Sequence, residues 1–513
     1  MAYVLGIDIG TYESKGVLVD NEGKIIVTKS VPHELEVPRP GWAEHDAENV
    51  WWNDFKLLSN SIIKEAKLSY SIDPTEIQAV GVSTIAPAVV PIDKKGIPLR
   101  KAILYGVDTR ADKEIDLLND EIGEDVIFEK GGQYLSSQSS GPKILWIRRN
   151  EPDVYEKTYK FLCGSGYVAY KLTNEFIIDR YTAASYSPLF NIHNLSWDDE
   201  IVPKITEADK LPNLAWSHEI IGEVTEEAAL ETGLMQGTKV IAGTADALSE
   251  SISVGAIHPG DLMLMYGSST FFINIADSLQ NTRSFWPNIH AVEGLYTITG
   301  GTSTAGSLTR WYLDKLMLPF MDQSEMKKMN TSELYTYITK EAQKSPVGSN
   351  GLITLPYFSG ERTPIHHANA KGMIFGLTLQ HTREDIYRSI IEGIAFSIRH
   401  NIDEMKKLNT SIKRAIIVGG GVKSDLWVQS VGDICRIQQN VPKVTIGAAY
   451  GNAFLCAMAL GWYSELKDVD TWIELDYEVE PKTENYEVLE RNYNIYRKLY
   501  ENNKILMDEI NRI

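Results

Sequence analysis

Two turns of small polar residues carry the groups in this sequence that could bind phosphate. The first lies within Val4 to Val19, where the flanking apolar residues predict two strands joined by a tight turn. The polar residues in and beside that turn are Asp8, Gly10, Thr11, Ser14 and Lys15. The glycine would let an anion approach the main chain, the hydroxyls and the lysine could bind it, and the aspartate could orient a hydrated Mg²⁺. An ordinary edge hairpin explains this segment about equally well.

The same design returns about half the chain later. Asp261 to Ile275 predicts an apolar strand, a polar turn and a second apolar strand. The residues of the turn are Gly267, Ser268, Ser269 and Thr270. A further small-residue cluster, which includes Gly301 and Thr302, leads into an apolar helix. Two such hairpins predict duplicated α/β domains that face one another.

A glycine triplet stands near the C-terminus. A buried strand starting at Arg414 ends in Gly419, Gly420 and Gly421, and Ser424 precedes the helix that follows. A strand that ends in glycines before a helix lets a flat ring or a phosphate lie against bare backbone. A plain tight turn is the simpler alternative.

Three charged residues follow predicted strands. Asp246 comes after the strand and loop that begin at Val240, where it can cap the next helix. Asp108 and Arg110 lie two residues apart after another strand, and such a pair suits a polyhydroxylated molecule because one group accepts and the other donates. On this pattern alone a surface salt bridge or a helix cap is the favoured reading of the pair.

Composition limits the classes of function. A chain of 513 residues predicts two to four domains, and its formal net charge of −19 argues against a nucleic-acid partner. The three cysteines form no CxxC motif or disulfide framework. No apolar run is long enough to span a membrane and the first residues do not form a signal peptide, so we expect a soluble, cytoplasmic protein.

Several common chemistries are not indicated. The sequence has no GxxxxGK[ST], the glycine triplet does not complete GxGxxG, and no HExxH occurs. Gly301 to Ala305 narrowly misses the GxSxG pattern of hydrolases. Strands alternate with helices along the chain, which predicts an α/β fold with ligands at the strand ends.

The order of the motifs resembles that of the FGGY family of carbohydrate kinases. A DIGT hairpin comes first, followed by SGPKILW, GTAD, GSST and the glycine triplet. Two segments carry the resemblance most specifically, SGPKILWIRRN and GMIFGLTLQHTREDIYRSIIEG. It covers nearly the whole chain, and the layout is most similar to that of xylulokinases and gluconokinases.

The resemblance implies two actin-like, ribonuclease-H-like α/β domains with a central cleft. We place the domains at residues 1–245 and 246–513. The two hairpin turns would be phosphate loops for ATP and Mg²⁺, and Gly419 to Gly421 would face adenosine. Gly301, Thr302 and Ser424 are further candidate nucleotide contacts, and Asp246 would be the general base. The cleft should also exclude water by domain closure. Because relatives are often dimers, a homodimer is a candidate assembly.

The sugar side departs from the family pattern. Where relatives carry Gln-Met-His or Gln-Arg-Glu, this chain has Thr84-Ile85-Ala86. The segment from Tyr105 to Arg110 resembles the family's W-x-D-x-R with Tyr for Trp, which makes Asp108 the expected contact to sugar hydroxyls. The layout favours a pentulose such as xylulose. Gluconate, another keto-sugar, or a polyol such as erythritol or glycerol stay open, as does a non-catalytic nucleotide-binding protein on the same fold.

Overall fold

The N-terminal half is built on a seven-stranded mixed sheet. The computed structural model describes residues 2–318, 329–408 and 410–511. The strands of the first sheet are β1 (Tyr3–Ile9), β2 (Glu13–Asp20), β3 (Ile25–Pro32), β4 (Ile77–Thr84), β5 (Ile220–Glu223), β6 (Lys239–Ile241) and β7 (Thr244–Ala245). Their order is β5-β6-β4-β1-β2-β3, with β7 also paired to β4. Strands β1 to β3 form an antiparallel meander, and β4 runs parallel to β1.

The C-terminal half repeats this plan. Its seven strands are β8 (Asp261–Tyr266), β9 (Thr270–Ala276), β10 (Trp286–Ile289), β11 (Tyr296–Gly301), β12 (Arg414–Val418), β13 (Gln439–Pro442) and β14 (Leu475–Val479). They are ordered β10-β11-β9-β8-β12-β13-β14. Here too an antiparallel hairpin, β8–β9, is followed in space by a parallel neighbour, β12. The duplication predicted from the two hairpins is therefore confirmed.

Helices cover both sheets. They include α1 (Asn53–Tyr70), α2 (Gly164–Thr173), α3 (Asp246–Ser253), α4 (Gly306–Tyr312), α5 (Thr331–Ala342), α6 (Arg383–Lys406), α7 (Asp425–Cys435), α8 (Ala448–Ala459) and α9 (Tyr486–Ile510). Further helices are Asp112–Ile122, Glu124–Gly131, Ser140–Asn150, Pro152–Lys157, Arg180–Ala184, Val202–Ile205 and Glu226–Thr232. Short two-stranded sheets pair Glu44–His45 with Ala102–Ile103, Val90–Ile92 with Lys160–Leu162, Ile177–Asp179 with Asn213–Ala215, Phe190–Asn191 with Ser196–Trp197, and Ile353–Leu355 with Met373–Phe375.

Helix α8 joins the two halves, although the chain reaches it only after the second sheet. Its small residues let it lie against β1, where a Cβ built on Gly6 would come within 1.9 Å of the Ala449 carbonyl oxygen. On its other side it touches α3, where a Cβ on Gly451 would lie 2.0 Å from the Ser249 carbonyl oxygen. Such distances exclude any side chain larger than hydrogen, so glycine fixes the contact at both places.

The predicted fold class, an α/β chain of two similar domains, is confirmed. The expected boundary at residues 245 and 246 falls directly before α3, which packs against α8. Among the described residues no helix is long and apolar enough to cross a membrane.

Candidate active site

The first phosphate-loop candidate closes the β1–β2 hairpin. Asp8 and Lys15 lie opposite each other on the two strands. The Gly10 amide donates to the Glu13 carbonyl at 3.1 Å. A Cβ on Gly10 would lie 2.8 Å from that oxygen, so this tight closure needs glycine. The Lys15 side chain is 42% exposed and pairs with Glu13 at 3.3 Å.

Asp8 is anchored from the neighbouring strand. The Ser83 hydroxyl donates to its Oδ1 at 2.7 Å. Burial raises the pKa of Asp8 to about 6, while the Ser83 hydrogen bond and the charge of Lys15 act in the opposite direction. The carboxyl group of Asp8, which lies near the turn of the hairpin, therefore has a pKa only slightly below neutral pH.

The structure turns Ser14 away from the loop. Its side chain is fully buried, and its hydroxyl donates to Asp54 Oδ2 at 2.7 Å. The expectation that Ser14 contacts nucleotide stays a prediction, and a buried hydroxyl that is hydrogen-bonded to a carboxylate does not favour it. Thr11 stays at the turn, where its hydroxyl lies 3.0 Å from the Tyr105 hydroxyl.

Asp246 is the first residue of α3 and lies beside the first loop. Its Oδ1 accepts a hydrogen bond from the Ala247 amide at 2.8 Å. Burial raises the pKa of Asp246 to about 8, and the charge of Asp8 adds to the rise. A buried acid whose proton affinity is matched to neutral pH is suited to accept a proton during a reaction.

A third acid faces the same place and was missed by sequence reasoning. Glu250 lies one helical turn after Asp246 on α3. Burial and the charge of Asp8 raise its pKa to about 7, while Lys15 and the Ala448 amide act against that rise. The four-residue spacing of the two acids, which puts them on one helix face, was the signal that could have found it.

Two tyrosines complete the surroundings of Asp246. Burial raises the pKa of Tyr105, and the charge of Asp246 contributes to that shift. The same two causes raise the pKa of Tyr181, which is almost fully buried. Tyr105 thus lies near both the candidate base and Thr11, at the position where the family pattern has tryptophan.

The other predicted sugar contacts are buried. The Thr84 hydroxyl accepts a hydrogen bond from the Ser165 amide at 2.9 Å, so it holds the start of α2. Asp108 Oδ2 accepts from the Ala43 amide at 2.7 Å and from Arg110 Nη2 at 2.6 Å. Asp108 is fully buried, as is the Arg110 side chain. Each of these residues is hydrogen-bonded to polar partners inside the protein, and the expectation that Thr84, Asp108 and Arg110 touch the sugar stays a prediction.

The second turn has an exposed tip and a buried base. Ser268 is exposed and Ser269 partly so, whereas Thr270 and Thr302 are buried beneath them. The Thr270 amide donates to the Thr302 hydroxyl at 3.2 Å, and the Thr302 amide donates to the Thr270 carbonyl at 2.9 Å. Gly301 is also buried beside them. Thr270, Gly301 and Thr302 therefore support the turn from below, and the expectation that they contact nucleotide stays a prediction.

A cavity of about 880 Å³ opens next to this turn. The predicted nucleotide residues that line it are Gly267, Ser268, Gly420, Gly421 and Ser424. A Cβ built on Gly420 would meet nothing within 4 Å, so the backbone there is open to a ligand. Gly419 has a φ of 93° and packs against the Tyr266 backbone. It therefore shapes the turn and does not line the cavity. The floor is aromatic, with Trp427 stacked on Tyr266 at 5.4 Å between ring centroids.

The acids beside the first loop are the groups that could hold Mg²⁺. Within residues 2–318, 329–408 and 410–511, no group of three or more His, Cys, Asp or Glu side chains is arranged to hold a metal ion directly. Asp8 and Asp246 nevertheless offer hard carboxylate oxygens, and the charge of Asp8 makes ionisation of Asp246 costly until a cation relieves it. This donor set fits a hydrated Mg²⁺ bound through its water molecules.

Comparison with known proteins identifies the class. Residues 3–253 match the N-terminal domain and residues 262–460 the C-terminal domain of the FGGY family of carbohydrate kinases. The chain is 31% identical to a xylulose kinase of Staphylococcus epidermidis over 99% of its length and 98% of the relative's. It is 26% identical to a gluconokinase of Bacillus subtilis, covering 90% of this chain and 88% of that one.

A solved structure has the same fold along the whole chain. The crystal structure of xylulose kinase from Rhodospirillum rubrum superposes with a TM-score of 0.90 at 26% identity, covering 99% of this chain and 100% of the other. The fold and these similarities define a sugar kinase, an enzyme that transfers phosphate to an alcohol group of a small sugar. The chain belongs to the FGGY family of carbohydrate kinases, whose members use ATP as the phosphate donor.

Proposed function

We propose that this kinase transfers the γ-phosphate of MgATP to a hydroxyl of a pentulose such as xylulose. The assignment of the substrate rests on the end-to-end similarity to xylulose kinases, at 31% identity over 99% of the chain for the Staphylococcus epidermidis protein. The similarity to the gluconokinase of Bacillus subtilis keeps gluconate as the second candidate. A homodimer and a cytoplasmic location stay predictions.

Asp246 is the proposed general base. A sugar hydroxyl is a weak nucleophile, and a carboxylate within hydrogen-bond reach removes its proton as it attacks phosphorus. The raised pKa of Asp246, about 8, gives the carboxylate a strong affinity for that proton. The proton passes from the hydroxyl oxygen to the carboxylate, the new O–P bond forms, and ADP leaves with the electrons of the broken P–O bond.

The phosphates are proposed to lie between the two hairpin turns. Gly10 and Thr11 would approach them from the N-terminal half and Gly267 and Ser268 from the other, because small residues at a turn let an anion come close to the main chain. Lys15, partly exposed beside Asp8, would neutralise part of the phosphate charge. The adenosine would occupy the cavity of about 880 Å³ that Gly420 and its neighbours line.

Mg²⁺ would be held through water by Asp8, with Asp246 nearby, and would supply charge neutralisation at the phosphates. Ser83 fixes the orientation of Asp8 toward that position with its 2.7 Å hydrogen bond. The sugar contact is assigned to Tyr105, because its hydroxyl is near both Thr11 and Asp246. Asp108 and Arg110 would act by holding the segment that carries Tyr105.

A panel assay tests the substrate. ADP release would be measured with MgATP and each of a set of ketopentoses, aldonates and polyols at equal concentration. A kcat/KM for xylulose at least tenfold above every other compound supports the proposal. A higher kcat/KM for gluconate would replace xylulose with the second candidate.

The sugar contact of Tyr105 is tested separately. Tyr105→Phe should raise the KM for the sugar without changing the KM for ATP.

A further inference from the structure

A buried histidine lies directly beneath the first phosphate loop. His33 follows β3, and its side chain is 6% exposed. Its Nδ1 is 2.8 Å from Asp54 Oδ2, and its Nε2 is 3.0 Å from the Gly10 carbonyl oxygen. Asp54, on α1, is also buried, with 4% of its side chain exposed. The ring therefore bridges helix α1 and the loop that the proposed function assigns to ATP.

The hydrogen-bond partners fix the number of protons in this contact. A carbonyl oxygen can only accept, so Nε2 must carry a hydrogen to bond Gly10. An ionised Asp54 also only accepts, so Nδ1 must carry one too. A neutral imidazole has a single N–H and can satisfy only one of the two acceptors. The pair must hold one proton more than a carboxylate and a neutral ring.

The remaining contacts agree with this account. Asp54 Oδ2 accepts a hydrogen bond from the Ser14 hydroxyl at 2.7 Å. The same oxygen faces His33 Nδ1, so two groups donate to it. A carboxylate oxygen that accepts from two groups is most simply ionised, which places the extra proton on the ring. We propose that His33 is a resident imidazolium, paired with Asp54, that positions the first phosphate loop by holding the Gly10 carbonyl. The proposal deepens the proposed function and rests on its assignment of that loop to ATP.

The charged and titratable groups around the ring come from three elements. Asp54 faces it from α1. Glu13 lies on β2, where hydrogen bonds from Ser30 and Lys15 lower the pKa of Glu13 and the charge of His33 makes the smallest contribution. His45 lies at 5.2 Å between ring centroids. The Trp51 indole donates to His45 Nδ1 at 3.1 Å, and a ring that accepts at one nitrogen cannot be an imidazolium.

The second histidine is thereby kept neutral. Burial lowers the pKa of His45 to about 4, and the positive charge of His33 contributes. Of the two adjacent rings, one carries the charge and the other does not. The charged one donates to the Gly10 carbonyl oxygen, in the loop where phosphate is proposed to bind.

The protonation state can be measured without any substrate. The ¹⁵N spectrum of histidine-labelled, nucleotide-free protein would be recorded at about pH 8, above the ordinary histidine pKa of ~6.5. An imidazolium gives two nearly equal nitrogen shifts, whereas a neutral ring gives two widely separated ones. We expect the imidazolium pattern for His33, assigned by its loss in His33→Asn. Asp54→Asn should convert it to the neutral pattern.

Steady-state kinetics test whether the charged His33 ring supports ATP binding through the first phosphate loop. Asn at position 33 can still donate to Asp54 but cannot reach Gly10, so His33→Asn should raise the KM for ATP by roughly tenfold, as expected for loss of a charge-assisted hydrogen bond. The sugar KM should stay within about twofold, because no sugar contact is touched. His33→Gln, which can reach Gly10 but carries no charge, should give an intermediate KM. The matched control is His258→Gln, which breaks an exposed pair with Asp470 of 2.7 Å and should change neither KM.

Two results would overturn the proposal. The first is a neutral pattern for His33 in the wild-type spectrum. The second is an unchanged KM for ATP in folded His33→Asn, even if the ring is charged. If the substrate panel finds no turnover, the proposed function fails while the spectrum still tests the ion pair, and ATP binding by calorimetry replaces KM. If His33→Asn does not fold, the wild-type and Asp54→Asn spectra decide the outcome.

Discussion

At the scale of residues, the site is a small group of acids whose ionisation the protein resists. Asp8, Asp246 and Glu250 all have raised pKa values, of about 6, 8 and 7, because burial disfavours their charged forms. Such an arrangement costs stability in the absence of ligands and is expected where a carboxylate must accept a proton. Two predictions separate these effects.

The first concerns turnover. Asp246→Asn keeps the shape of the side chain but cannot accept the sugar proton, so kcat should fall by about 10²–10⁴-fold, the usual contribution of general-base catalysis. The dissociation constant for ATP should stay near that of the wild type. Single-turnover ADP formation and calorimetry measure the two quantities, with Glu250→Gln as the matched variant one turn along α3. Wild-type turnover in Asp246→Asn would remove it as the base.

The second concerns stability. The folded pKa of Asp246, about 8, lies above its ordinary value of 3.8, so the folded protein holds a proton that the unfolded chain releases between these values. This group therefore lowers stability as pH rises from about 4 to 8. In metal-free buffer Asp246→Asn should unfold a few degrees above the wild type near pH 8, with the difference vanishing near pH 4. Thermal melts across that range check it, and a gain that grows toward acid would contradict it.

Sequence reasoning found the residues of this site more readily than their orientations. It located Asp8 because this residue stands near the end of the first recognisable strand, and Asp246 because it follows another. It could not place Ser14, whose hydroxyl turns to Asp54, a residue forty positions away. It also chose Asp108 over Tyr105, since only the folded chain shows that Asp108 is occupied by Arg110 and the Ala43 amide. Long-range pairing of polar groups leaves no periodic trace in a sequence.

At the scale of elements, two hairpins and one helix position the site. The predicted strand–turn–strand of Val4 to Val19 is confirmed as β1 and β2, and that of Asp261 to Ile275 as β8 and β9. Apolar alternation on both sides of a small-residue turn was enough to predict these. The role of α8 could not be predicted, because its glycine and alanine pattern specifies close packing without naming a partner.

Gly6 should be the residue of β1 least tolerant of substitution. In Gly6→Ala the new methyl group would lie 1.9 Å from the Ala449 carbonyl oxygen, so β1 and α8 must separate. We expect a loss of at least ~3 kcal/mol of stability, the upper end of overpacking effects, seen as a lower denaturant midpoint or failure to fold. Gly420→Ala is the matched control, since nothing lies within 4 Å of its added Cβ. Equal stability of the two variants would contradict the packing argument.

At the scale of the whole molecule, α8 makes the two halves mutually dependent. Asn452 on this helix is fully buried, and its side-chain amide donates to the Ile7 carbonyl at 2.9 Å and to the Ser83 hydroxyl at 2.8 Å. Ser83 in turn donates to Asp8. A residue from the C-terminal part of the chain thus completes the support of an acid in the N-terminal sheet. The predicted division into residues 1–245 and 246–513 follows the sheets but separates α8 from the sheet that it covers.

Asn452→Ala tests this dependence. It leaves the Ile7 carbonyl and the Ser83 hydroxyl without a buried donor, which should cost about 1–3 kcal/mol. Because α8 comes from the C-terminal part of the chain and packs on the N-terminal sheet, the wild type and the variant should each unfold in one calorimetric transition, with the variant's at lower temperature. The kcat should also fall, since Ser83 no longer orients Asp8 as firmly, while the KM for ATP changes less. Two resolved transitions in the wild type would mean that the halves fold independently and that α8 belongs to one of them alone.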